Sequence, residues 1–124
     1  MIRVVIVDDH AIVRAGIRAL FSCEPDVEVV GEAGDGPSAL ALIERTSPDV
    51  LLADLSIPAL SGVEIIARAR VLSPRMRVLV LSMHTAAEYV RPALRAGANG
   101  YVVKPFTAAT LDEKLNKIFE KLGA

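Results

Sequence analysis

The chain has 124 residues, enough for one domain with its own hydrophobic core. It is 52% hydrophobic and 23% charged with a net charge of −1, which argues against intrinsic disorder and against a basic surface for direct nucleic-acid binding. The single cysteine, Cys23, excludes an internal disulfide, and no apolar run approaches the roughly 20 residues of a membrane span. We therefore expect a cytoplasmic protein without a signal peptide or membrane contacts.

Five short apolar runs, rich in β-branched residues, predict five buried parallel strands. They lie at about 3–7, 27–31, 50–54, 77–82 and 100–103. Helical periods separate them, and right-handed connections then give a doubly wound α/β sheet of the flavodoxin-like (βα)5 type with strand order 2-1-3-4-5. In such a sheet, ligands bind beyond the carboxyl ends of the strands, here between strands one and three.

Apolar residues at helical spacing predict a helix after each strand. Pro37 suits the first turn of the second helix, and Thr107 is a fair N-cap for the last one. The fourth helix contains Pro92, which removes a backbone donor and crowds the preceding turn. We therefore predict that this helix is kinked, starts late or is frayed.

Polar side chains stand at the ends of four predicted strands. They are Asp8 with Asp9, Asp54, Ser82 and Lys104. Because the carboxyl ends of strands one and three meet at one edge of the sheet, the three acids should converge there. Carboxylates in one small pocket repel each other, and Mg²⁺, which prefers oxygen ligands, relieves the repulsion. Helix capping is an alternative role for Asp8 and Asp9, but it leaves Asp54 unexplained.

A carboxylate beside Mg²⁺ can attack a phosphoryl group and hold it as an acyl phosphate. The charge that spreads over the phosphoryl oxygens during transfer needs neutralising. The Lys104 ammonium can supply part of this charge, and the Ser82 hydroxyl can donate a hydrogen bond. Alone, each could be an ordinary surface lysine or strand-end serine, so their joint placement with Asp54 carries the prediction.

These residues resemble the receiver domains of bacterial two-component response regulators over the whole chain. The matching segments are Val7–His10, Leu51–Pro58, Gly62, Leu81–His84 and Gly100–Pro105. The resemblance implies that Asp54 accepts a phosphoryl group from a histidine kinase, its phosphodonor partner. It also implies that Asp9 binds Mg²⁺ directly, Asp8 mostly through water, and Ser56 through its carbonyl. Beyond self-phosphorylation and autodephosphorylation, it implies no enzyme activity.

The same resemblance makes Ser82 and Tyr101 a switch pair and Lys104 the phosphate-contacting lysine. An inward turn of Tyr101 would then bias a surface formed by helix four, strand five and helix five, with a phosphorylation-dependent dimer or an unidentified partner as output. Ser56 and His84 lie where the family tunes hydrolysis of the acyl phosphate. A static role for Tyr101 and an exposed loop position for His84 stay open, and His10 is expected to pack at the helix start, because Mg²⁺ disfavours imidazole.

Two subfamilies are recognisable within what we interpret as one receiver domain over residues 1–124. Residues 1 to about 96 resemble regulators of the NarL/FixJ (LuxR-type) group, which normally continue into a DNA-binding domain that this chain lacks. Residues 97–124 resemble the end of the enterobacterial chemotaxis regulator CheY almost verbatim, with Asn99 among the departures. All ten arginines precede residue 97, and all four lysines follow it. A chimera with a junction near residue 97 and a natural stand-alone receiver are the two interpretations.

Three other functions remain open at this point. A phosphohydrolase of the haloacid-dehalogenase type carries a second aspartate two residues after its nucleophile, where this chain has Ser56. A flavodoxin-type binder needs a Ser/Thr/Gly-rich phosphate loop after strand one, where this chain has Asp8–His10. A phosphorylation-independent interaction module or a folding scaffold is the third.

Overall fold

The computed structural model of the chain describes residues 2–22, 24–54, 62–82, 87–103 and Glu113. Within these ranges, five strands alternate with four helices. The strands are β1 (Ile2–Val7), β2 (Val27–Ala33), β3 (Val50–Asp54), β4 (Arg77–Ser82) and β5 (Gly100–Val103). The helices are α1 (Ala11–Phe21), α2 (Gly36–Thr46), α3 (Gly62–Leu72) and α4 (Ala87–Ala96). Glu113 is helical, and the rest of the predicted last helix, with Thr107, lies outside the described residues.

All strand pairs are parallel, and the sheet has the order β2-β1-β3-β4-β5. The predicted doubly wound α/β fold and its strand order are therefore confirmed. Strand β2 runs two residues further than predicted, because its pairing with β1 continues to the Val7–Ala33 pair. The glycine and glutamate at positions 31 and 32 interrupt the apolar run, but the partner strand keeps both in the ladder.

The pairing of β1 with β2 contains one irregularity. Val4 pairs with Val29 and Val5 pairs with Gly31, so the register shifts past Val30. Such a bulge places two successive residues of one strand opposite a single step of its partner. After the shift the ladder is regular again as far as Ala33.

The two faces of the sheet carry separate hydrophobic cores. On one face, Val4 and Ile6 of β1 pack with Ile17 and Phe21 of α1. On the other face, β1 residues such as Val5 pack with residues of α2, α3 and α4. Alternate residues of β1 thus point to opposite cores, as the pleat requires, and the central strands are apolar on both faces.

Local signals set the start of α2. The Asp35 carboxylate accepts a hydrogen bond of 2.8 Å from the backbone N–H of Ser38, and Pro37 occupies the first turn. A carboxylate in this position satisfies an amide that has no partner within the helix, and proline needs none there. Both features agree with the expectation for Pro37.

Helix α4 is continuous from Ala87 to Ala96 and contains Pro92 in its interior. The prediction that this helix is frayed at the proline is therefore wrong, whereas the predicted kink stays a prediction, and residues 83–86, which bear on a late start, lie outside the described residues. Proline still removes the N–H that would donate to the carbonyl of residue 88. The next residue, Ala93, is fully buried against the core that α4 shares with α3, so packing holds the helix across the lost bond.

No helix in the described part of the chain combines the length and the apolar character that a bilayer crossing needs.

Candidate functional site

Three acidic residues meet at the carboxyl edge of the sheet. Asp8 and Asp9 directly follow β1, and Asp54 is the last residue of the neighbouring β3. Asp8 is completely buried and Asp54 is 4% exposed, whereas Asp9 and His10 are exposed. One ligand atom from each of these four residues lies within 4.8 Å of the others. The sequence-predicted acids therefore form one cluster, and His10 joins it.

The backbone of Asp8 is fixed from several directions. Its N–H donates to the carbonyl of Ala33 at 3.1 Å, which extends the pairing of β1 with β2 by one residue. Its side-chain Oδ1 accepts the backbone N–H of His10 at 2.9 Å, and its carbonyl accepts Arg14 Nη1 at 2.5 Å. The chain thus turns from β1 into α1 around a buried carboxylate whose position is strongly determined.

His10 occupies a different place from the one expected. It is the N-cap residue of α1 without a side-chain cap bond, and its side chain is 66% exposed rather than packed at the helix start. Its Nδ1 lies 2.8 Å from Asp9 Oδ1 and 3.2 Å from Asp8 Oδ1. The prediction of a packing role is therefore wrong. That prediction was based on the low affinity of Mg²⁺ for imidazole, which does not bear on contacts between a histidine and carboxylates.

The same residue settles the capping alternative. Because His10 occupies the N-cap position, Asp8 and Asp9 lie before the helix, and the first turn of α1 carries no acid. Helix capping does not account for the acidic cluster.

The donor atoms fit a small hard cation. Mg²⁺ binds oxygen at about 2.0–2.1 Å in octahedral geometry, so two of its ligands lie about 2.9 Å apart when adjacent and about 4.2 Å apart when opposite. The ligand atoms of the cluster, all within 4.8 Å, need only small movements to reach these separations. The carboxylates of Asp8, Asp9 and Asp54 are the ligand type that Mg²⁺ prefers, and the imidazole of His10 is not.

The other predicted site residues are described only in part. Ser82 ends β4 and its backbone pairs with Val103 of β5, on the same edge as the acids. Ser56, His84 and Lys104 lie outside the described residues. Their roles therefore stay predictions.

Tyr101 lies on β5, where it pairs with Val80 of β4. Its ring is half-buried and packs against the core between the sheet and helices α2 to α4. Its hydroxyl is buried and makes no hydrogen bond within the described part of the chain. A buried hydroxyl without a partner is unfavourable, because it has left water without compensation.

Two residues near the acids were not predicted as part of the site. Arg14 of α1 donates to the Asp8 carbonyl and, through Nε, to Glu32 of β2 at 3.2 Å. Arg18, one turn further along α1, contacts the same Glu32 carboxylate. The spacing of Arg14 and Arg18 places them on one helix face, but the sequence does not show which backbone group they meet.

Comparison with known proteins agrees with this geometry. The family model for the "Response regulator receiver domain" matches residues 4–116. The uncharacterized transcriptional regulatory protein YhcZ of Bacillus subtilis is 45% identical over 102 residues, which cover 82% of this chain and 48% of YhcZ. The transcriptional regulatory protein DegU of Brevibacillus brevis is 39% identical over 123 residues, which cover 99% of this chain and 52% of DegU. The chain thus spans about half the length of these relatives.

A solved structure shows the same fold at a similar level of identity. The crystal structure of a two-component response regulator of the LuxR family from Aurantimonas matches with a TM-score of 0.90 and 36% identity, over 96% of this chain and 85% of that chain. The acidic cluster, the strand order and the family match over most of the chain lead to one conclusion. The protein belongs to the response regulator receiver domain family.

Proposed function

We propose that Asp54 accepts a phosphoryl group from the phosphohistidine of a histidine kinase, and that the domain relays this signal by a change at its surface. The observation that carries the proposal is the burial of Asp54 within the cluster that also contains Asp8 and Asp9. Family membership supports it, because receiver domains are the phosphorylated modules of two-component systems. Beyond its own phosphorylation and dephosphorylation, the domain has no enzyme activity in this proposal.

The transfer is a substitution at phosphorus. A carboxylate oxygen of Asp54 attacks the phosphorus of the donor, the bond from phosphorus to the donor imidazole breaks, and an acyl phosphate forms on Asp54. Asp8, Asp9, Asp54 and the Ser56 carbonyl would hold Mg²⁺. When bound, Mg²⁺ neutralises charge on the phosphoryl oxygens. Asp8 is buried and held by its backbone, so it is suited to keep the ligand set in place.

The remaining residues contact or sense the phosphoryl group in this proposal. Lys104 and Ser82 bind its oxygens, and Ser56 and His84 control access of the water that hydrolyses it. Ser82 and Tyr101 couple its presence to the surface of α4, β5 and the predicted last helix. The buried Tyr101 hydroxyl supports this role. Because it makes no hydrogen bond in the described part of the chain, the observed position of the side chain competes with another in which the hydroxyl is bonded.

A signalling role also requires a phosphodonor and an output for this domain. We propose a single receiver domain over residues 1–124, in the cytoplasm with its kinase, with an output partner or a phosphorylation-dependent dimer. The relatives YhcZ and DegU are transcriptional regulators about twice as long as this chain. Control of transcription through DNA contacts made outside residues 1–124 is therefore the proposed output, and the near-neutral net charge of the receiver supports no direct role in DNA binding.

We propose in addition that two parental sequences meet near residue 97. The separation of the ten arginines from the four lysines supports this. The match to DegU, however, continues through this point over 99% of the chain, so the last part also shares the common features of the family. The N–H of Asn99 donates to the Val78 carbonyl and its Oδ1 accepts from the Arg70 guanidinium, so the segment after residue 97 is bonded to the preceding part of the chain.

The alternative functions find less support. The cluster of acids fills the place where a flavodoxin-type binder needs a neutral phosphate loop. The family match to receiver domains covers residues 4–116 and favours neither a phosphohydrolase nor a scaffold that only binds.

Phosphorylation by a small donor tests the proposal. The purified chain is incubated with acetyl phosphate or phosphoramidate and Mg²⁺, and its intact mass is measured. We expect the wild type to gain the mass of one phosphoryl group, and we expect Asp54→Ala and the wild type with excess EDTA to gain none. Retention of the mass gain in Asp54→Ala, or its absence in the wild type, would contradict the proposal.

A further inference from the structure

Arg14 connects helix α1 to the peptide between the two adjacent acids. Its Nη1 lies 2.5 Å from the carbonyl oxygen of Asp8, and its Nε lies 3.2 Å from Glu32 Oε1. The Arg14 side chain is only 21% exposed. The guanidinium therefore spans a fixed gap between a strand end and an anchoring carboxylate, as its rigid planar donors allow.

The bonded carbonyl belongs to the peptide that joins Asp8 to Asp9. Asp8 is completely buried, so water does not readily replace a lost donor at this oxygen. The N–H of Asp8 is already held by Ala33 on the preceding side. With Arg14 on the following side, both peptides that flank the Asp8 carboxylate are fixed, and the second of them sets where the Asp9 side chain begins.

The neighbours of Arg14 provide it with space and with a counter-charge. A Cβ atom built on Gly34 would lie 3.3 Å from Arg14 Nη1, closer than side chains normally approach. Glycine at position 34 therefore leaves the room that the guanidinium occupies. Glu32 contacts both Arg14 and Arg18, which places negative charge beside a cation that would otherwise repel a metal ion at the acids.

We infer that Arg14 is a positioning residue for the metal site: it orients the Asp8–Asp9 peptide so that both carboxylates address one cation. The inference rests on the proposed function, because it assigns Arg14 a part in building that site. For the loss of Arg14, it predicts a change in Mg²⁺ affinity opposite to the one that simple electrostatics predicts. Removal of a nearby positive charge alone should strengthen Mg²⁺ binding, whereas loss of positioning should weaken it.

Metal affinity of the Arg14→Met variant tests the inference. Mn²⁺, which shares the preference of Mg²⁺ for oxygen ligands, is titrated into the protein, and the free ion is measured by electron paramagnetic resonance with Mg²⁺ as competitor. Because residues that orient metal ligands typically contribute about tenfold or more to affinity, we expect the Mg²⁺ dissociation constant to rise about tenfold. An unchanged or smaller dissociation constant in folded Arg14→Met overturns the inference.

Arg18→Met is the matched control, because it removes an arginine from the same helix and the same Glu32 but leaves the Asp8 carbonyl bonded. We expect its dissociation constant to be equal to or smaller than that of the wild type, and a rise as large as in Arg14→Met would overturn the inference. If Arg14→Met does not fold, Gly34→Ala takes its place. Its Cβ displaces the guanidinium by a few tenths of an ångström, so we expect a smaller rise in the dissociation constant, and no rise overturns the inference.

The result is read separately from that of the phosphorylation test. A wild type that neither binds Mn²⁺ nor gains phosphoryl mass contradicts the proposed function itself. A wild type that does both, beside an Arg14→Met variant with unchanged affinity, contradicts only the role of Arg14.

Discussion

Tyr101 of β5 combines an apolar ring in the core with a polar atom that lacks a hydrogen bond among the described residues. The Tyr101 hydroxyl is buried, and no described residue offers it a hydrogen bond, although its ring packs well against the core. Such a group costs free energy in the folded state, because water would have bonded it in the unfolded chain. The residue that we propose as part of the switch is therefore held in a position that its polar atom disfavours.

Removal of that hydroxyl should stabilise the domain. We expect Tyr101→Phe to raise the free energy of unfolding by about 1 kcal/mol, measured by urea denaturation, since it deletes an unpaired buried group and keeps the ring. Thr46→Val is the control, because the Thr46 hydroxyl donates to the Leu42 carbonyl at 2.7 Å. That variant should lose about 0.5–1 kcal/mol. Destabilisation by Tyr101→Phe would show that the hydroxyl has a partner after all.

Asp35 provides a residue with a predictable pH dependence. The backbone N–H of Ser38 and then its hydroxyl donate to the Asp35 carboxylate and hold the pKa of that group below its ordinary value of 3.8. A lowered folded-state pKa means that the stabilisation is present above the unfolded pKa and is lost as the pH falls through the folded one.

We therefore expect Asp35→Ala to have a lower Tm than the wild type at pH 7, with a difference that shrinks as the pH is lowered past the ordinary pKa of the carboxyl group. Thermal unfolding followed by circular dichroism over this pH range gives both curves. Asp35→Asn, which keeps an N-cap acceptor that does not titrate, should show a smaller loss with little pH dependence. A constant difference between wild type and Asp35→Ala would rule out this linkage.

The three acids were predicted from one rule, the shared edge of parallel strands, and the structure brings them together. Arg14 escaped prediction because its partner is a backbone carbonyl in the turn from β1 to α1, and turn geometry is not encoded in residue spacing. His10 was misplaced because its contacts with the acids depend on the same turn.

At the scale of elements, close packing between neighbours overrides local propensity. Helix α4 continues through Pro92 because the buried Ala93 side is held against the core it shares with α3, a gain that no rule based on proline alone includes. The strand positions were predicted almost to the residue, because apolar runs buried on both faces leave little freedom. Only the end of β2, beyond Gly31, required knowledge of its partner strand.

Two glycines test this packing with the same substitution. A Cβ on Gly31 would lie 2.6 Å from Leu42 Cδ2, in the contact of β2 with α2, so Gly31→Ala should lower the free energy of unfolding by about 1–3 kcal/mol. A Cβ on Gly16, on the exposed face of α1, meets no atom of the described residues within 4 Å. Gly16→Ala should therefore raise stability by about 0.5–1 kcal/mol. Urea denaturation of both variants measures the difference, and equal effects would refute the packing argument.

At the scale of the whole molecule, Arg70 of α3 joins the two parts of the chain that differ in their arginine and lysine content. It donates to the carbonyl of Gly97 at 2.6 Å and to Asn99 Oδ1 at 2.9 Å, and it also bonds the Met76 carbonyl. Burial lowers the pKa of the Arg70 guanidinium. Gly97 itself has φ +122°, and a Cβ there would lie 3.0 Å from Arg70 Nε, so glycine is required by backbone and neighbour alike.

Loss of the Arg70 hydrogen bonds should lower the stability of the domain. We expect Arg70→Met to lower the free energy of unfolding by about 2–3 kcal/mol, since it leaves the two partly buried carbonyls of Met76 and Gly97 without a charged donor. Arg68→Met, which removes an exposed arginine 3.7 Å from Glu64 on the same helix, should cost less than about 0.5 kcal/mol. Chemical denaturation compares the two, and similar losses would mean that Arg70 has no special role.

The bulge in β2 has a consequence for how the chain can vary in length. Val30 and Gly31 both address the core of α2, whereas Val29 before them and Glu32 after them face α1. The bulge therefore holds one extra residue, and the residues after it keep the faces that they would have in a regular strand. Loss of one position here would restore an uninterrupted ladder and still deliver Glu32 to Arg14. Within this edge strand, deletion of a single residue at the bulge is thus compatible with an intact acidic centre.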